Sequence, residues 1–94
     1  MNHTDWLAGQ LKDDDFAALY LTAAAQDLEP AVFTAAHRHV IDARGGLAKV
    51  ADAGKLSRQS LYKAFPVTGQ GNPTAKTMFA ALRASGLQLT FKAA

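Results

Sequence analysis

The sequence predicts an all-α domain of five helices that ends in one short strand. Twenty of the 94 residues are alanine, the strongest helix former, and β-branched residues are few. Apolar residues recur at separations of three and four along most of the chain, and near the C-terminus the period changes to two. The length suits one domain, 1–94, with a single modest core, which excludes a multidomain enzyme.

Residues 1–12 hold only Trp6, Leu7 and Leu11 as anchors and are left open as a helical turn or an arm. Asp13, Asp14 and Asp15 precede Phe16, Leu19, Tyr20 and Ala23, so an aspartate can cap a first helix at about 14–26 whose positive end welcomes acids. Pro30 opens a second helix, with Phe33, Ala36, Val40 and Ile41 at helical spacing, that Gly45-Gly46 stops near Arg44. A third, about 46–53, carries Leu47, Val50 and Ala51 and is closed by Gly54, a residue suited to a left-handed C′ position. Ser57 caps a fourth, about 58–65, which Pro66 ends. Gly69-Gln70-Gly71-Asn72-Pro73 reads as loop. Thr74 caps a fifth helix, about 75–85, with Met78, Phe79, Ala81 and Leu82 as an inward stripe before Gly86. Leu87, Leu89 and Phe91 then alternate with Gln88, Thr90 and Lys92, the pattern of a half-buried strand over 87–92.

No apolar run approaches the roughly 18 residues of a membrane span. Cysteine is absent, which removes disulfides, thiolate metal sites and cysteine nucleophiles. The start Met1-Asn2-His3-Thr4-Asp5 lacks a basic region followed by an apolar core, so the expected address is the cytoplasm. Charge is strongly segregated. Residues 1–30 hold one Lys against five Asp and one Glu, a net of −5, and residues 31–94 carry +7. From Lys55 onward there are six Lys and Arg and no acid. Such a polarity suits a surface facing a polyanion and another facing something basic; uneven scatter over a solvated surface is the plain alternative.

Two short helices around a tight turn, the second capped by Ser57 and rich in cations, form the pattern of a helix-turn-helix DNA reader. Leu47, Val50, Ala51, Leu56, Leu61 and Phe65 would lock the pair onto the preceding helix. The opposite face carries Arg58, Gln59, Ser60, Tyr62 and Lys63. Arginine can donate two bonds to guanine and glutamine can pair with adenine, while Ser60, Tyr62 and Lys63 suit phosphate or sugar. Lys49 and Ser57 complete the expected DNA-facing set, and amides near Gly46 and Leu47 could hold a phosphate.

The run Ala43–Phe65, which contains Leu56-Ser57-Arg58-Gln59-Ser60-Leu61-Tyr62-Lys63, resembles the addiction-module antidote proteins of the phage-repressor-like (lambda-repressor-like) helix-turn-helix superfamily. Gly71-Asn72-Pro73 and the final Gly86-Leu87-Gln88-Leu89 extend the resemblance, as does the front helix with Tyr20-Leu21 and acidic flanks. The loop Pro66–Gln70 is longer than the family's pattern. The resemblance implies an antitoxin of a type II module that neutralises a RelE/HigB-like toxin and represses its own operon, with Arg58 and Gln59 at base-reading positions and Lys63 one turn further along.

Plainer readings stand beside several of these residues. Arg58 and Lys63 can be ordinary surface charges, Tyr62 a packing residue at the rim, and Asn72 a turn residue. Gly69-Gln70-Gly71 lacks the strand and third glycine of a nucleotide loop. His37 and His39, about 200° apart around a helix, cannot chelate one metal from the same face and read as surface histidines. No catalytic grouping can be placed, so neither enzymatic activity nor a cofactor is expected.

The lone strand needs a partner for its backbone groups. Pairing of Leu87, Leu89 and Phe91 with a second copy makes a two-fold homodimer the expected assembly and an inverted-repeat operator on double-stranded DNA the expected site. Asp13, Asp14 and Asp15 are the candidate contacts for a basic toxin. Two alternatives remain: an interaction module that neutralises a basic partner through this acidic helix with little DNA affinity, and a solitary phage-type repressor.

Overall fold

A computed structural model describes residues 2–66 and 71–94, and the described residues form six helices and no strand. The first is α1, His3–Gln10, where the sequence left an arm open. Asn2 caps it, its side-chain oxygen accepting from the Asp5 amide at 2.8 Å. Leu11, just past its end, is buried. The second, α2, spans Asp14–Ala25 behind an Asp13 cap that accepts from the Phe16 amide at 2.8 Å.

Helix α2 buries Ala17 and Leu21, with Phe16, Tyr20 and Ala24 half-covered. Leu19 is 70% exposed and Ala23 is exposed too. Of the four residues whose spacing marks the helix, Phe16 and Tyr20 pack at the edge of the buried face, and Leu19 and Ala23 lie outside it. The small Ala17, fully buried, lies on the face that α3 covers, and it leaves Leu19 on the outside.

Helix α3, Pro30–Ala43, starts with proline in its first turn, where the missing N–H costs nothing. It is the spine of the molecule. Ala36 and Val40 join Leu11, Ala17, Leu21 and Leu82 in one apolar cluster. Ile41 joins Leu47, Val50, Ala51, Leu61, Phe65 and Ala81 in a second. His37, read from the sequence as a surface residue, is fully buried between the two. Its ring meets Phe65 edge-on at 4.8 Å and Phe33 at 5.9 Å. His39 is exposed as expected, and its Nδ1 is 2.8 Å from the Tyr20 hydroxyl.

Gly45 and Gly46, at φ +115° and +89°, turn the chain into α4, Gly46–Ala53. Helix α5 is Arg58–Ala64 and helix α6 is Ala75–Ala84, the latter capped by Thr74 accepting from the Thr77 amide at 3.2 Å. In α6 Ala81 and Leu82 are buried and Met78 is half-buried, but Phe79 is 48% exposed instead of inward. It lies about 100° around the helix from Met78, at the flank of the buried face.

The expected strand 87–92 is not formed. Leu87 is half-buried and donates its amide to the Leu82 carbonyl at 2.9 Å, whereas Leu89 is 45% and Phe91 89% exposed. A strand needs a ladder partner, and the helical body offers no exposed edge to supply one. The expected long loop before Gly71 lies, over 67–70, outside the described residues, and so do Gly69 and Gln70 of the glycine-containing run.

Arg44 ties the parts together. Its Nε donates to the Leu11 carbonyl at 3.0 Å, Nη1 to the Ser85 carbonyl at 2.8 Å, and Nη2 to the Asp14 carboxylate at 2.6 Å. One largely covered guanidinium thus joins the ends of α1, α3 and α6 to the start of α2.

Candidate nucleic-acid interface

Helices α4 and α5 meet through Gly54–Ser57. The turn is not the one the glycine suggested. Gly54 has φ −88°, and the left-handed residue is Lys55 at φ +55°. Glycine at 54 answers a demand for space. A Cβ there would lie 3.2 Å from the Ala84 Cβ, 3.3 Å from the Val50 carbonyl oxygen and 3.4 Å from Leu56. The turn is closed by the Leu56 amide on the Ala51 carbonyl at 2.7 Å and the Gly54 amide on Val50 at 2.9 Å.

The pair is held from below as its sequence implied. Leu47, Val50, Ala51, Leu61 and Phe65 are buried, and Leu56 packs against them. Ser57 caps α5, its Oγ accepting from the Ser60 amide at 3.2 Å. At the other end Arg38 of α3 donates Nη1 to the Phe65 carbonyl, an orphan acceptor of the α5 terminus, while its Nε pairs with Asp42 at 2.9 Å. Both ends of the short helix are therefore fixed, and Arg38 had no sequence signal beyond its charge.

All seven residues expected to face DNA are exposed: Lys49, Ser57, Arg58, Gln59, Ser60, Tyr62 and Lys63. Tyr62 is 53% exposed, with the rest of its surface covered at the rim of α5. The stem of Lys49 folds back over Gly45. Gly45 makes no side-chain cap, which leaves the first amides of α4 without a capping partner. Arg58 is engaged: its Nε donates to Asp52 Oδ1 at 3.2 Å and its Nη2 to Oδ2 at 2.8 Å. The bidentate contact holds the Asp52 carboxyl below its ordinary range and the Arg58 guanidinium above its own. The two are six residues apart across a turn, a separation that carries no pairing signal in the sequence.

The three aspartates proposed for a basic partner divide by task. Asp13 caps α2, Asp14 binds Arg44, and Asp15 stands exposed in the first turn. Leu87, Leu89 and Phe91 line an apolar groove of about 610 Å³ with Leu21 and Ala25 of α2, Phe33 of α3 and Leu82 of α6.

The described residues form a small all-helical module in which a buried scaffold presents α5 with Arg58 and Lys63 exposed. Over residues 3–93 the sequence matches the family described as "Probable addiction module antidote protein". The chain belongs to that family, and its role is that of an antidote, the antitoxin member of a toxin–antitoxin module. No curated protein and no solved structure matches the chain. No described helix is long and apolar enough to cross a membrane.

Proposed function

We propose that this antidote is a sequence-specific DNA-binding regulator that represses its own operon and neutralises a RelE/HigB-like toxin in the cytoplasm. The observation that carries the reading is the state of α5: a short helix fixed at both ends, with Arg58, Gln59, Tyr62 and Lys63 on its open side. A reader in the helix-turn-helix mode needs that rigidity, because its first turn enters the major groove and places a few side chains on base edges. The absence of acids after Asp52 gives the same part of the chain an electrostatic footprint for phosphates.

The reading extends to a two-fold homodimer on an inverted repeat, with the segment 87–92 pairing against its copy. A proline or charge at Leu89 should convert the dimer to monomer in sedimentation. An unchanged dimer would remove the segment from the interface.

The test of DNA reading is a mobility shift on the DNA upstream of the protein's own gene, against scrambled competitor at about 0.15 M salt, where non-specific binding is weak. A discrete competitor-resistant complex is the expected result. Arg58→Ala with Gln59→Ala should abolish the sequence preference. Lys49→Ala or Lys63→Ala should weaken every sequence and reduce the salt slope by about one phosphate contact. No preference at micromolar protein would sink the DNA-reading half of the proposal and leave neutralisation of the toxin as the whole role.

A further inference from the structure

Asp52 is the only acid between Ala43 and Ala94, a stretch otherwise supplied with cations. It sits in the last turn of α4 and grips the first residue of α5 across the turn. A lone carboxylate on a face meant for DNA works against affinity, since it repels phosphates. Its value has to lie elsewhere. The two bonds it accepts come from Nε and Nη2, which together form one side edge of the guanidinium. Of five N–H donors, three stay open, and two of those, one on each Nη, point parallel along the end of the group. That end-on pair is the arrangement a guanine accepts through O6 and N7.

A free arginine carries much rotamer freedom, which binding must remove. The carboxylate removes part of it beforehand, and the turn that positions the carboxylate is closed by backbone bonds of 2.7 and 2.9 Å. We propose that Asp52 is a specificity-determining residue that fixes Arg58 by its side edge and leaves its end-on donors directed at a guanine of the major groove; this rests on the DNA-reading role proposed above. Asp52 therefore lowers affinity for DNA in general and raises discrimination for one base pair.

The experiment compares wild type, Asp52→Asn, Arg58→Ala and the double variant by fluorescence anisotropy on the upstream duplex and on a scrambled duplex, over a series of salt concentrations. In Asp52→Asn the ratio of specific to non-specific affinity should fall about tenfold, the size of one bidentate base contact. Non-specific affinity should hold or rise, and the thermal melt should not move, because both side chains are exposed. In the Arg58→Ala background the same change should have no further effect on the ratio. Single base-pair substitutions should trace the loss to one G·C pair. A ratio unchanged by Asp52→Asn, or a specific affinity that rises more than the non-specific one, would overturn the proposal, the second result making Asp52 a competitor of DNA for Arg58. Absence of sequence preference in wild type would instead overturn the DNA-reading role itself, and with it the role of Asp52.

Discussion

His37 is the residue whose surroundings depart furthest from what its type suggests. Both ring nitrogens are buried with no hydrogen-bond partner, and the ring packs against Phe33 and Phe65 as an aromatic would. Burial disfavours the charged form and lowers the pKa from 6.5 to about 4. The unfolded chain then takes up its proton as pH falls through 6.5, before the folded chain does. Stability from this group is complete above pH 6.5 and declines until about pH 4, by on the order of 3 kcal/mol in total. Urea unfolding from pH 7 to 4 should show that decline, and His37→Leu should flatten it relative to wild type; parallel curves for the two proteins would refute the assignment. Arg44 is the opposite case, a cation retained because its partners are carbonyls at chain turns. Arg44→Ala should cost about 2–4 kcal/mol, as it strands the Leu11 and Ser85 carbonyls. Asp14→Asn should cost at most about 1 kcal/mol, because that carboxylate is 79% exposed and worth only a surface pair. Arg44 was not legible in the sequence, since it reaches partners 30 to 41 positions away. His37 stands four residues from Phe33 and Ile41 and three from Val40, so helical spacing puts it on the buried face, and only its polar type argued for the surface.

At the scale of elements, local chemistry was legible and spatial phase was not. The caps at Asp13, Ser57 and Thr74 and the proline at the start of α3 fall where their side-chain chemistry requires, so five helices were readable almost to the residue. Period identifies a helix but does not choose its buried face when apolar residues surround it; Leu19 and Phe79 show this. The exposed face of α5 was readable because its buried side is set by only Leu61 and Phe65, whereas the Asp52 partner of Arg58 depended on the angle between two helices. Glycine was legible as a turn marker but not by cause. Lys55→Gly should raise stability by about 0.5–1 kcal/mol in thermal unfolding, since φ +55° strains a side chain. Gly71→Ala should be severely destabilising, because a Cβ there runs into the Ala64 carbonyl and the Pro66 ring, one of them unyielding backbone. A tolerated Gly71→Ala would mean that the chain after α5 can move aside.

At the scale of the whole molecule, the tail stands apart from the two apolar clusters that α3 and α6 join. Leu87 packs on the core, while residues 88–94 are solvent-exposed except where Leu89 partly turns toward the groove. Two large apolar side chains, Leu89 and Phe91, are thereby kept on a segment that adds little to the fold of one chain, and exposed apolar groups held together are a sign of association. The same alternation that made 87–92 read as a strand explains its form here: a period of two describes a ladder, and a ladder requires a second strand. Truncation after Leu87 separates the two roles, since it keeps the Leu87–Leu82 bond and the core contact. The truncated chain should melt within a few degrees of wild type, as surface changes of under about 0.5 kcal/mol imply for a domain this size. If the proposed homodimer pairs through this segment, the truncated chain should sediment as a monomer and the full chain as a dimer. On the proposed DNA-reading role, truncation should remove the advantage of two linked half-sites, on the order of a hundredfold, and leave any base preference of Arg58 and Gln59 in a single half-site unchanged. A truncated chain that stays dimeric would place the proposed two-fold interface on the helical surface, where Leu19, Leu28 and Val32 are among the exposed apolar residues to replace next.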